Sequence, residues 1–282
     1  MSLSSRLDLD LAWRRVQSDL TERRAFVRHP FHEQAIQTDL PSWLSALGGA
    51  TDAGSYVPSP CRICSVPKPS GHVRPGGVLT LEDQVLYSAL VQRMRAQIQP
   101  ALQQLSGSPD YSYSLRAKQE QLEWYDPFFP RWKAFDSDSI RHIDAGASHV
   151  VVADIAGYYE QIDLSSLRSD LNGLGVEPDV LALLMSMLHR WTRIDRRGLP
   201  QGYSPSDLLG KLYLNSVDLT LKNEGIQHIR WVDDFRIFCR TEVEARHALV
   251  VLIGSLGRRG LVVQSAECKD EGDECERCAT QV

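Results

Sequence analysis

The hydrophobic pattern predicts helices in the first part of the chain. Residues 3–47 carry apolar side chains at helical spacing, with Pro30 and Pro41 as interruptions. The segment 48–60 is rich in Gly, Ser and Pro and is typical of a loop or linker. Residues 106–143 are aromatic without a clear period, so we expect irregular structure there.

A second helical stretch lies between these two segments. Thr80 and Asp83 have the spacing of a capping box, and apolar residues then recur with a helical period up to Pro100. A short strand-like piece with turn residues precedes it. This part of the chain therefore predicts a small β element followed by a long helix.

From residue 148 the pattern alternates between strands and helices. The run HVVVADI ends in Asp154 and predicts a buried central strand, while IRWV and FRIF predict two strands joined by a tight turn, and LVVQ predicts a last strand. The order is strand, helices, strand, turn, strand, helix, strand. This order predicts an α+β fold, with a split βαβ antiparallel sheet and helices on one face.

Capping residues set the expected helix bounds in this second part. Asp163 or Ser165 can start a short helix that stops at 173–175, and Pro178 begins the next one. The last two helices have clear signals. The first of them has Ser204 as its N-cap and Gly225 as its stop, and the second follows the capping pair Thr241 and Glu244 and ends at Gly257.

Composition is that of an ordinary globular protein. The 282 residues are 43% hydrophobic and 24% charged, which suffices for one large domain or two small ones. No apolar run approaches the length of a membrane span, and the N-terminus has no charged-then-apolar signal. These features predict a cytoplasmic protein without a membrane partner. The net charge of −5 argues against a protein that simply coats a polyanion, although arginines cluster at 14–28 and 190–197.

Two cysteine pairs raise the question of a zinc site. Cys61 with Cys64 and Cys275 with Cys278 each have C-x-x-C spacing, and two such pairs could share one tetrahedral zinc. Neither pair has flanking glycines of the kind that zinc knuckles carry. We therefore favour reduced thiols over a zinc site.

Three carboxylates are the main chemical signal. Asp233 and Asp234 lie between two strands, and Asp-Asp is a poor two-residue turn, because the favoured hairpin turns need positive φ. Two such charges about 4 Å apart repel by about 4 kcal/mol at an effective dielectric near 20. Asp154 ends the other central strand, so we expect the three side chains to meet. A divalent cation such as Mg²⁺ would compensate their charge, and three carboxylates holding two metal ions suit the attack of a hydroxyl on a nucleotide phosphate.

The segments that carry these acids resemble the motifs of the reverse transcriptases. Four segments resemble motifs of this family and follow one another in the family's order. They are VVVADIAGYYEQID for motif A, RGLPQGYSPSDLLGKLYL for motif B, RWVDDFRIF for motif C and GRRGLVVQSAECK for the motif D region. Upstream, SVPKPSGHVRPGGVLTLEDQVLYSAL resembles the fingers segment. The region of Arg116 and the W-x-x-F segment from Trp132 to Phe135 are similar to bacterial defence-associated members.

The resemblance implies a role for each matching residue. Asp154 and Asp233 would be the principal metal ligands, with Asp234 and the Ile155 carbonyl completing the site, and two Mg²⁺ ions, or Mn²⁺ in their place, would be the cofactors. Tyr159 would be the steric gate against ribonucleotides. The remaining nucleotide contacts implied are Gln201 and Gly202 at the floor of the site, Arg74 and then Lys68 at the triphosphate, and Lys269.

The resemblance also implies an organisation into domains. It implies a polymerase palm with mostly helical fingers, and a thumb that is absent or truncated because the chain stops soon after motif D. The expected divisions are a helical extension and linker at 1–59, fingers at 60–147, a palm at 148–270 with a helical insertion at 164–197, and an acidic cysteine-containing tail at 271–282. Two residues depart from the family pattern. Trp231 replaces a tyrosine, and Tyr203 follows Pro-Gln-Gly, where small residues are usual.

Three functional hypotheses follow from this resemblance. The first is RNA-directed DNA synthesis from dNTPs on an RNA template with a DNA or RNA primer, in bacterial antiviral defence. The second is template-independent or protein-primed DNA synthesis by the same fold. The third is a non-catalytic regulatory or nucleic-acid-binding subunit. For the first two, three explanations of the missing thumb stay open: the chain is a fragment, a non-coding RNA or a partner subunit supplies the thumb, or the enzyme does not need one.

Overall fold

The computed structural model of the protein describes residues 1–21, 30–67, 73–103 and 109–270. The described chain forms two compact units, each assembled from separate stretches of sequence. Unit 1 comprises residues 1–100, 116–124 and 163–209, and unit 2 comprises residues 101–115, 125–162 and 210–282. No helix within the described ranges is long and apolar enough to cross a membrane.

The helices and strands follow one another as an α+β chain. The helices are α1 Leu9–Thr21, α2 Pro30–Thr38, α3 Leu40–Asp52, α4 Leu81–Gln103, α5 Phe128–Asp144, α6 Tyr158–Gln161, α7 Leu164–Gly173, α8 Pro178–Trp191, α9 Ser204–Asn223 and α10 Glu242–Arg258. The strands are β1 Arg62–Pro67, β2 Val73–Val78, β3 His149–Ile155, β4 Gln227–Trp231, β5 Asp234–Cys239 and β6 Val263–Asp270.

Unit 2 contains a four-stranded antiparallel sheet in the order β4-β5-β3-β6. The β-branched and aromatic residues of these strands favour extended backbone, and alternate residues reach opposite faces. Phe135 of α5 packs against Val150, Ile229 and Phe238 on one face of the sheet. The α+β class and the antiparallel palm-like sheet that the sequence predicts are confirmed.

Unit 1 combines an antiparallel hairpin, β1–β2, with helices. A buried arginine ties the segment 116–124 to these helices. The Arg15 guanidinium donates to the Gln92 side chain at 2.6 Å and to the carbonyls of Gln119 and Gln121, and it lies 4.5 Å from the ring centroid of Trp124. Its charge is thus buried but hydrogen-bonded, which is what makes a buried arginine tolerable.

Several predicted helix signals are confirmed. The Asp83 backbone N–H donates to Thr80 Oγ1, Asp163 accepts from Ser166 N, and Thr241 accepts from Glu244 N. Gly225, two residues after the end of α9, has a φ of +71°, as a left-handed helix stop requires.

Other expectations about local structure are wrong. Helix α3 continues to Asp52, so the predicted linker starts later than residue 48, and α4 passes Pro100 to reach Gln103. The aromatic stretch 106–143, expected to be irregular, contains α5, whose apolar residues Trp132 and Phe135 contact β4 residues. Its aromatic composition hid the helical period, because aromatic residues favour helices only weakly.

Two bounds also shift at the end of the chain. Ser204 is the first residue of α9 rather than its cap, and the last strand is Val263–Asp270 rather than LVVQ at 261–264. In both cases the element type is as predicted and only the boundary moves, as is usual for element ends.

Candidate active site

The three predicted acids lie at the ends of neighbouring strands of unit 2. Ala153 of β3 pairs with Phe235 of β5, so Asp154 and Asp234, one residue beyond that pair, lie on the same face of adjacent strands. Asp233 directly precedes β5. The sheet therefore brings together the three carboxylates that the sequence singled out.

The turn between β4 and β5 differs from the one expected. Its two residues are Val232 and Asp233, while Asp234 already belongs to β5 and pairs with Trp231. Val232 has a φ of +57°, and Asp233 does not have positive φ. The strain expected on the acid pair thus falls on a valine, for which a left-handed conformation is unusual because its side chain is β-branched.

Burial and neighbouring carboxylates raise the pKa of two of the acids, Asp233 and Asp234. Burial, together with the charges of Asp234 and Asp154, raises the pKa of Asp233 to about 7. Burial and the Asp154 charge also raise the pKa of Asp234, although Arg236 opposes the shift. These shifts indicate that the carboxylates are close enough to interact, and that the Arg230 and Arg236 charges, which act in the opposite direction, do not cancel the shifts.

This donor set fits a hard divalent cation. Carboxylate oxygens on rigid strands are ligands that Mg²⁺ accepts, and a cation would relieve the repulsion that raises the pKa of Asp233. Ile155, whose carbonyl was predicted to assist, lies where the β3–β6 pairing shifts register, between Asp154 and Ile155. Within the described residues no group of three or more His, Cys, Asp or Glu is arranged to hold a metal ion. The three acids are thus ligands of a suitable chemical type, but their arrangement alone does not define a metal site, and a metal there is a proposal.

A buried charge network lies beside the turn, and sequence reasoning missed it. Arg230 is 1% exposed and contacts both oxygens of Asp218, at 2.8–3.1 Å, and Asp110 at 2.9 Å. Lys211 lies 3.1 Å from Asp110, and the His228 ring lies 3.2 Å from Asp218. One signal was available in α9, where positions 211 and 218 are charged on the face that also carries Leu208 and Leu221.

The network holds its charges in place by pairing them. Although burial opposes the shift, Arg230 lowers the pKa of Asp218, and Asp110 with Asp218 raises that of Arg230. Burial lowers the pKa of Lys211, which Asp110 partly offsets. Arg230, Lys211, Asp110 and Asp218 each lie within 3.1 Å of an oppositely charged group, which offsets part of the cost of burying their charges.

Tyr159, the predicted steric gate, is buried in α6, four residues after Ile155. It is 8% exposed, and its ring centroid lies 5.1 Å from that of Tyr158. A Cβ added at Gly210 would come within 3.3 Å of both tyrosines, and the Tyr158 hydroxyl donates to the Gly210 carbonyl at 2.6 Å. A residue without a side chain at 210 thus allows both rings to pack against α9.

The comparisons with known proteins agree with this fold. A family model described as reverse transcriptase (RNA-dependent DNA polymerase) matches residues 66–274, well over half of the chain. The chain belongs to this family. A comparison with curated protein sequences found no significant match.

Solved structures similar to this reverse transcriptase family member include telomerases. Telomerase from Candida albicans, in complex with a TWJ fragment of telomeric RNA, has a TM-score of 0.56 and 12% identity over 82% of this chain and 45% of its own. Apo telomerase from Candida tropicalis, truncated from its C-terminal domain, has a TM-score of 0.51 and 14% identity over 76% of this chain and 52% of its own. A partial Cas6-RT-Cas1–Cas2 complex has a TM-score of 0.49 and 17% identity over 92% of this chain and 42% of its own. The chain spans about half the length of the telomerase chains that it matches.

In unit 1 of this family member, the motif B loop is joined to the β1–β2 hairpin. Gln201 is half-buried and Gly202, with a φ of +96°, is exposed. The hydroxyl of the next residue, Tyr203, donates to the Gly77 carbonyl at 3.0 Å and accepts from the Leu79 N–H at 2.9 Å. The tyrosine that departs from the family pattern thus fastens this loop to the end of β2.

Three other predicted contacts are described only in part. Arg74 lies in β2 opposite Val66, and Lys269 lies in β6 opposite Val150, but their side chains lie outside what the structure describes. Lys68 lies outside the described residues altogether. No role is therefore assigned to these three from geometry.

Trp231 and the cysteines complete the set of sequence predictions. The Trp231 ring packs edge-on against Phe128 and Trp132, at 5.1 and 5.0 Å, which gives the unusual residue of motif C an aromatic support from α5. Cys61 and Cys64 are free and half-buried. Cys275 and Cys278 lie outside the described residues, so the preference for reduced thiols over zinc stays a prediction.

Proposed function

We propose that the chain is an RNA-directed DNA polymerase that joins deoxynucleotides by two-metal-ion nucleotidyl transfer. The observation that carries this proposal is the cluster of Asp154, Asp233 and Asp234 at the ends of adjacent strands, close enough that burial and their charges raise the pKa of Asp233 to about 7. Membership of the reverse transcriptase family supplies the reaction class.

In the proposed reaction, a primer 3′-hydroxyl releases its proton to solvent and attacks the α-phosphorus of a dNTP. The new P–O bond forms as the bond from the α-phosphorus to the oxygen that bridges to the β-phosphorus breaks, and pyrophosphate leaves with that oxygen. Asp154 and Asp233 are the proposed metal ligands, with Asp234 and the Ile155 carbonyl beside them. Two bound Mg²⁺ ions, for which Mn²⁺ can substitute, would lower the pKa of the hydroxyl and offset the charge on the phosphates. The β3–β5 pairing keeps the carboxylates in fixed relative positions, which limits the reorganisation that the reaction requires.

The nucleotide contacts remain part of the same proposal. Tyr159 would exclude a 2′-hydroxyl, Gln201 and Gly202 would form the floor, and Arg74 would bind the triphosphate through its planar guanidinium. Lys68 is a second proposed triphosphate contact, and Lys269 is a further proposed nucleotide-binding residue.

The deciding experiment is extension of a labelled primer on an RNA template with dNTPs and Mg²⁺. We expect products that require template, primer and metal, and that EDTA abolishes. Asp233→Asn should reduce extension by 10³-fold or more, because a neutral amide is a weak ligand for Mg²⁺. The control is Asp195→Asn, which changes an acid that is 93% exposed and should leave extension unchanged.

Each arm has an outcome that contradicts the proposal. Equal activity of Asp233→Asn and the wild type would exclude the acid cluster as the catalytic centre. Products that form without template would favour template-independent synthesis, and DNA attached covalently to the chain would favour protein priming. A wild type that binds nucleic acid but never extends a primer would favour a regulatory subunit.

The proposed setting is bacterial antiviral defence, in the cytoplasm. The sequence support is the W-x-x-F segment, whose Trp132 and Phe135 pack beside Trp231. The efficiency of plating of phage should be lower on cells that express the wild type than on cells that express Asp233→Asn. Equal efficiencies across a diverse phage panel would refute this setting.

The proposed organisation keeps fingers at 60–147 and a palm at 148–270 with a helical insertion at 164–197. A non-coding RNA or a partner subunit is proposed to help hold the primer–template duplex. One similar structure, the telomerase from Candida albicans, contains a fragment of telomeric RNA, and we extend RNA binding to this chain as part of the proposal. Nucleic acid that copurifies with the protein should be RNA, and its sequencing would test this.

A further inference from the structure

The residue beside the acid turn is held in a conformation that its own side chain disfavours. Val232 has a φ of +57°, in the left-handed region, where a β-branched residue is an outlier. Such backbone strain persists only where surrounding contacts impose it, and it is found most often at functional sites. The contacts that impose it here can be named.

Two hydrogen bonds fix the peptide groups on either side of Val232. Its N–H donates to Ser112 Oγ at 3.2 Å, and its carbonyl accepts from Arg230 Nη1 at 2.7 Å. The N–H belongs to the peptide plane before Val232 and the carbonyl to the plane after it. Holding both planes fixes both φ and ψ at Val232, and with them the direction in which the chain enters Asp233.

Both hydrogen-bonding side chains are anchored on one carboxylate. Ser112 Oγ donates to Asp110 Oδ1 at 2.6 Å, and Arg230 Nη1 lies 2.9 Å from Asp110 Oδ2. Asp110, Ser112 and Arg230 are each 2% exposed or less. Water therefore has little access to compete for these bonds, and the geometry is set by the interior of unit 2.

The neighbouring backbone adds a second attachment. The Arg230 N–H donates to the Pro109 carbonyl at 2.7 Å, and the Tyr111 N–H donates to the Arg230 carbonyl at 3.1 Å. The segment 109–111 thus lies against β4 like a short extra strand. It carries Asp110 and Ser112 to the turn in a fixed register.

We propose that Ser112 and Arg230 are positioning residues that, through Asp110, hold Val232 in its left-handed conformation and so place the Asp233 carboxylate for catalysis. This inference rests on the proposed function and deepens it. Neither residue touches the reacting atoms. Their effect acts through the backbone of the turn. It should therefore disappear when residue 232 is a glycine, which adopts positive φ without support from these side chains.

The test compares three variants by primer extension. Ser112→Ala should lower kcat at saturating Mg²⁺ and dNTP by tenfold or more, with the KM for dNTP changed by less than threefold, because the turn relaxes and the acid moves. Ser255→Ala removes another buried serine hydroxyl of unit 2, bonded to the Leu252 carbonyl, and should retain full kcat. Val232→Gly in the Ser112→Ala background should restore most of the loss, because glycine adopts positive φ without strain.

A second pair of variants keeps the proposal testable if Ser112→Ala does not fold. Val232→Gly alone should keep kcat within threefold of the wild type, whereas Val232→Pro, whose ring forbids positive φ, should lose it. Full kcat in Val232→Pro would overturn the proposal. So would a folded Ser112→Ala that matches Ser255→Ala, or a loss that Val232→Gly does not restore.

A structural readout separates this inference from the proposed function. In isotope-labelled protein, the backbone chemical shifts of Val232 should report a left-handed residue in the wild type and in Ser255→Ala, and a different conformation in Ser112→Ala. This reading does not depend on polymerisation. An inactive wild type would refute the proposed function alone, and unchanged Val232 shifts in Ser112→Ala would refute the positioning role alone.

Discussion

The Tyr203 hydroxyl donates a hydrogen bond to the Gly77 carbonyl at 3.0 Å, and this bond joins the motif B loop to the β1–β2 hairpin within unit 1. The same hydroxyl accepts from the Leu79 N–H. A residue that departs from the family's small-residue pattern has therefore taken on a structural function. These two bonds attach the loop that carries Gln201 and Gly202 to the hairpin that carries Arg74.

Tyr203→Phe should separate these two elements. The change leaves a buried carbonyl and a buried N–H without their partner, so we expect the free energy of unfolding to fall by about 1–3 kcal/mol. If the loop forms the nucleotide floor, the KM for dNTP should also rise several-fold while kcat changes less. Denaturant unfolding and steady-state extension measure the two effects.

The matched control is Tyr213→Phe, which removes another buried tyrosine hydroxyl, one that donates to the Arg259 carbonyl in unit 2. It should lower stability without the change in KM. If the KM for dNTP were the same in Tyr203→Phe and Tyr213→Phe, a role of Tyr203 in nucleotide binding would be excluded.

The acid cluster predicts a pH-dependent stability. Because burial and the charges of Asp234 and Asp154 raise the pKa of Asp233 to about 7 from 3.8, the unfolded chain releases this proton at lower pH than the folded chain. Stability is therefore lost as pH rises between about 4 and 7. Asp233→Asn removes this loss. The free energy of unfolding of the variant, relative to that of the wild type, should therefore be higher at pH 8 than at pH 4 by about 2 kcal/mol, a value reduced to allow for the solvent that reaches the half-buried carboxylate.

This measurement is made by denaturant unfolding in EDTA, so that no divalent cation offsets the charges. Asp195→Asn should show no such dependence, since that carboxylate is 93% exposed. The residue expected to abolish activity when replaced is then also one whose replacement stabilises the metal-free fold. A pH-independent difference would contradict the electrostatic coupling of the three acids.

The sequence predicted the strand ends at which the three acids lie, but not which residue of the turn is strained. The strand ends were readable because Asp154 and Asp233 follow apolar runs with a clear period. The residue with positive φ could not be identified from the sequence, because Asp is the more usual left-handed residue. Val232 adopts that conformation under contacts from Ser112 and Arg230. Ser112 lies 120 positions away in sequence, so no local pattern reveals its contact.

The buried network escaped prediction for a related reason. Arg230 follows an isoleucine in a strand, and a lone charge there is typical of an exposed face. Its burial depends on Asp110 and Asp218, which come from two other parts of the chain. Local propensity predicts elements well, whereas pairings between distant charges are decided by tertiary structure.

Arg230→Met should therefore be severe. It leaves Asp110 and Asp218 buried without their main cation, and breaking a buried ion pair in this way costs about 3–5 kcal/mol. Arg246→Met is the surface control in the same unit, because Arg246 is 79% exposed and pairs with Glu242 four residues away, an interaction that contributes about 0.3–0.5 kcal/mol. Similar costs for the two variants, measured by denaturant unfolding, would show that the network contributes little.

The packing around Tyr159 gives a prediction about sugar selectivity. Tyr159→Ala should lower the preference for dNTPs over rNTPs by tenfold or more, because the ring proposed to exclude a 2′-hydroxyl is gone. Gly210→Ala should alter the same preference from a distance, since its Cβ would press on both tyrosine rings at 3.3 Å. The ratio of kcat/KM values for the two nucleotide classes measures both effects.

The control here is Tyr158→Phe, which keeps the ring and removes only the hydroxyl that donates to Gly210. It should preserve the sugar preference. An unchanged preference in Tyr159→Ala would exclude that residue as the gate, even if extension itself is slower.

The way in which the chain alternates between its two units limits how the gene can be dissected. Each unit is assembled from three stretches of sequence, with the stretches of one unit lying between those of the other. The shortest continuous segment that holds all of unit 1, residues 1–209, also carries two stretches of unit 2, and the shortest that holds all of unit 2, residues 101–282, also carries two stretches of unit 1. Progressive deletion from either end would remove parts of both before it isolates one, so loss of activity in a truncation series would report failed folding rather than the position of a functional module.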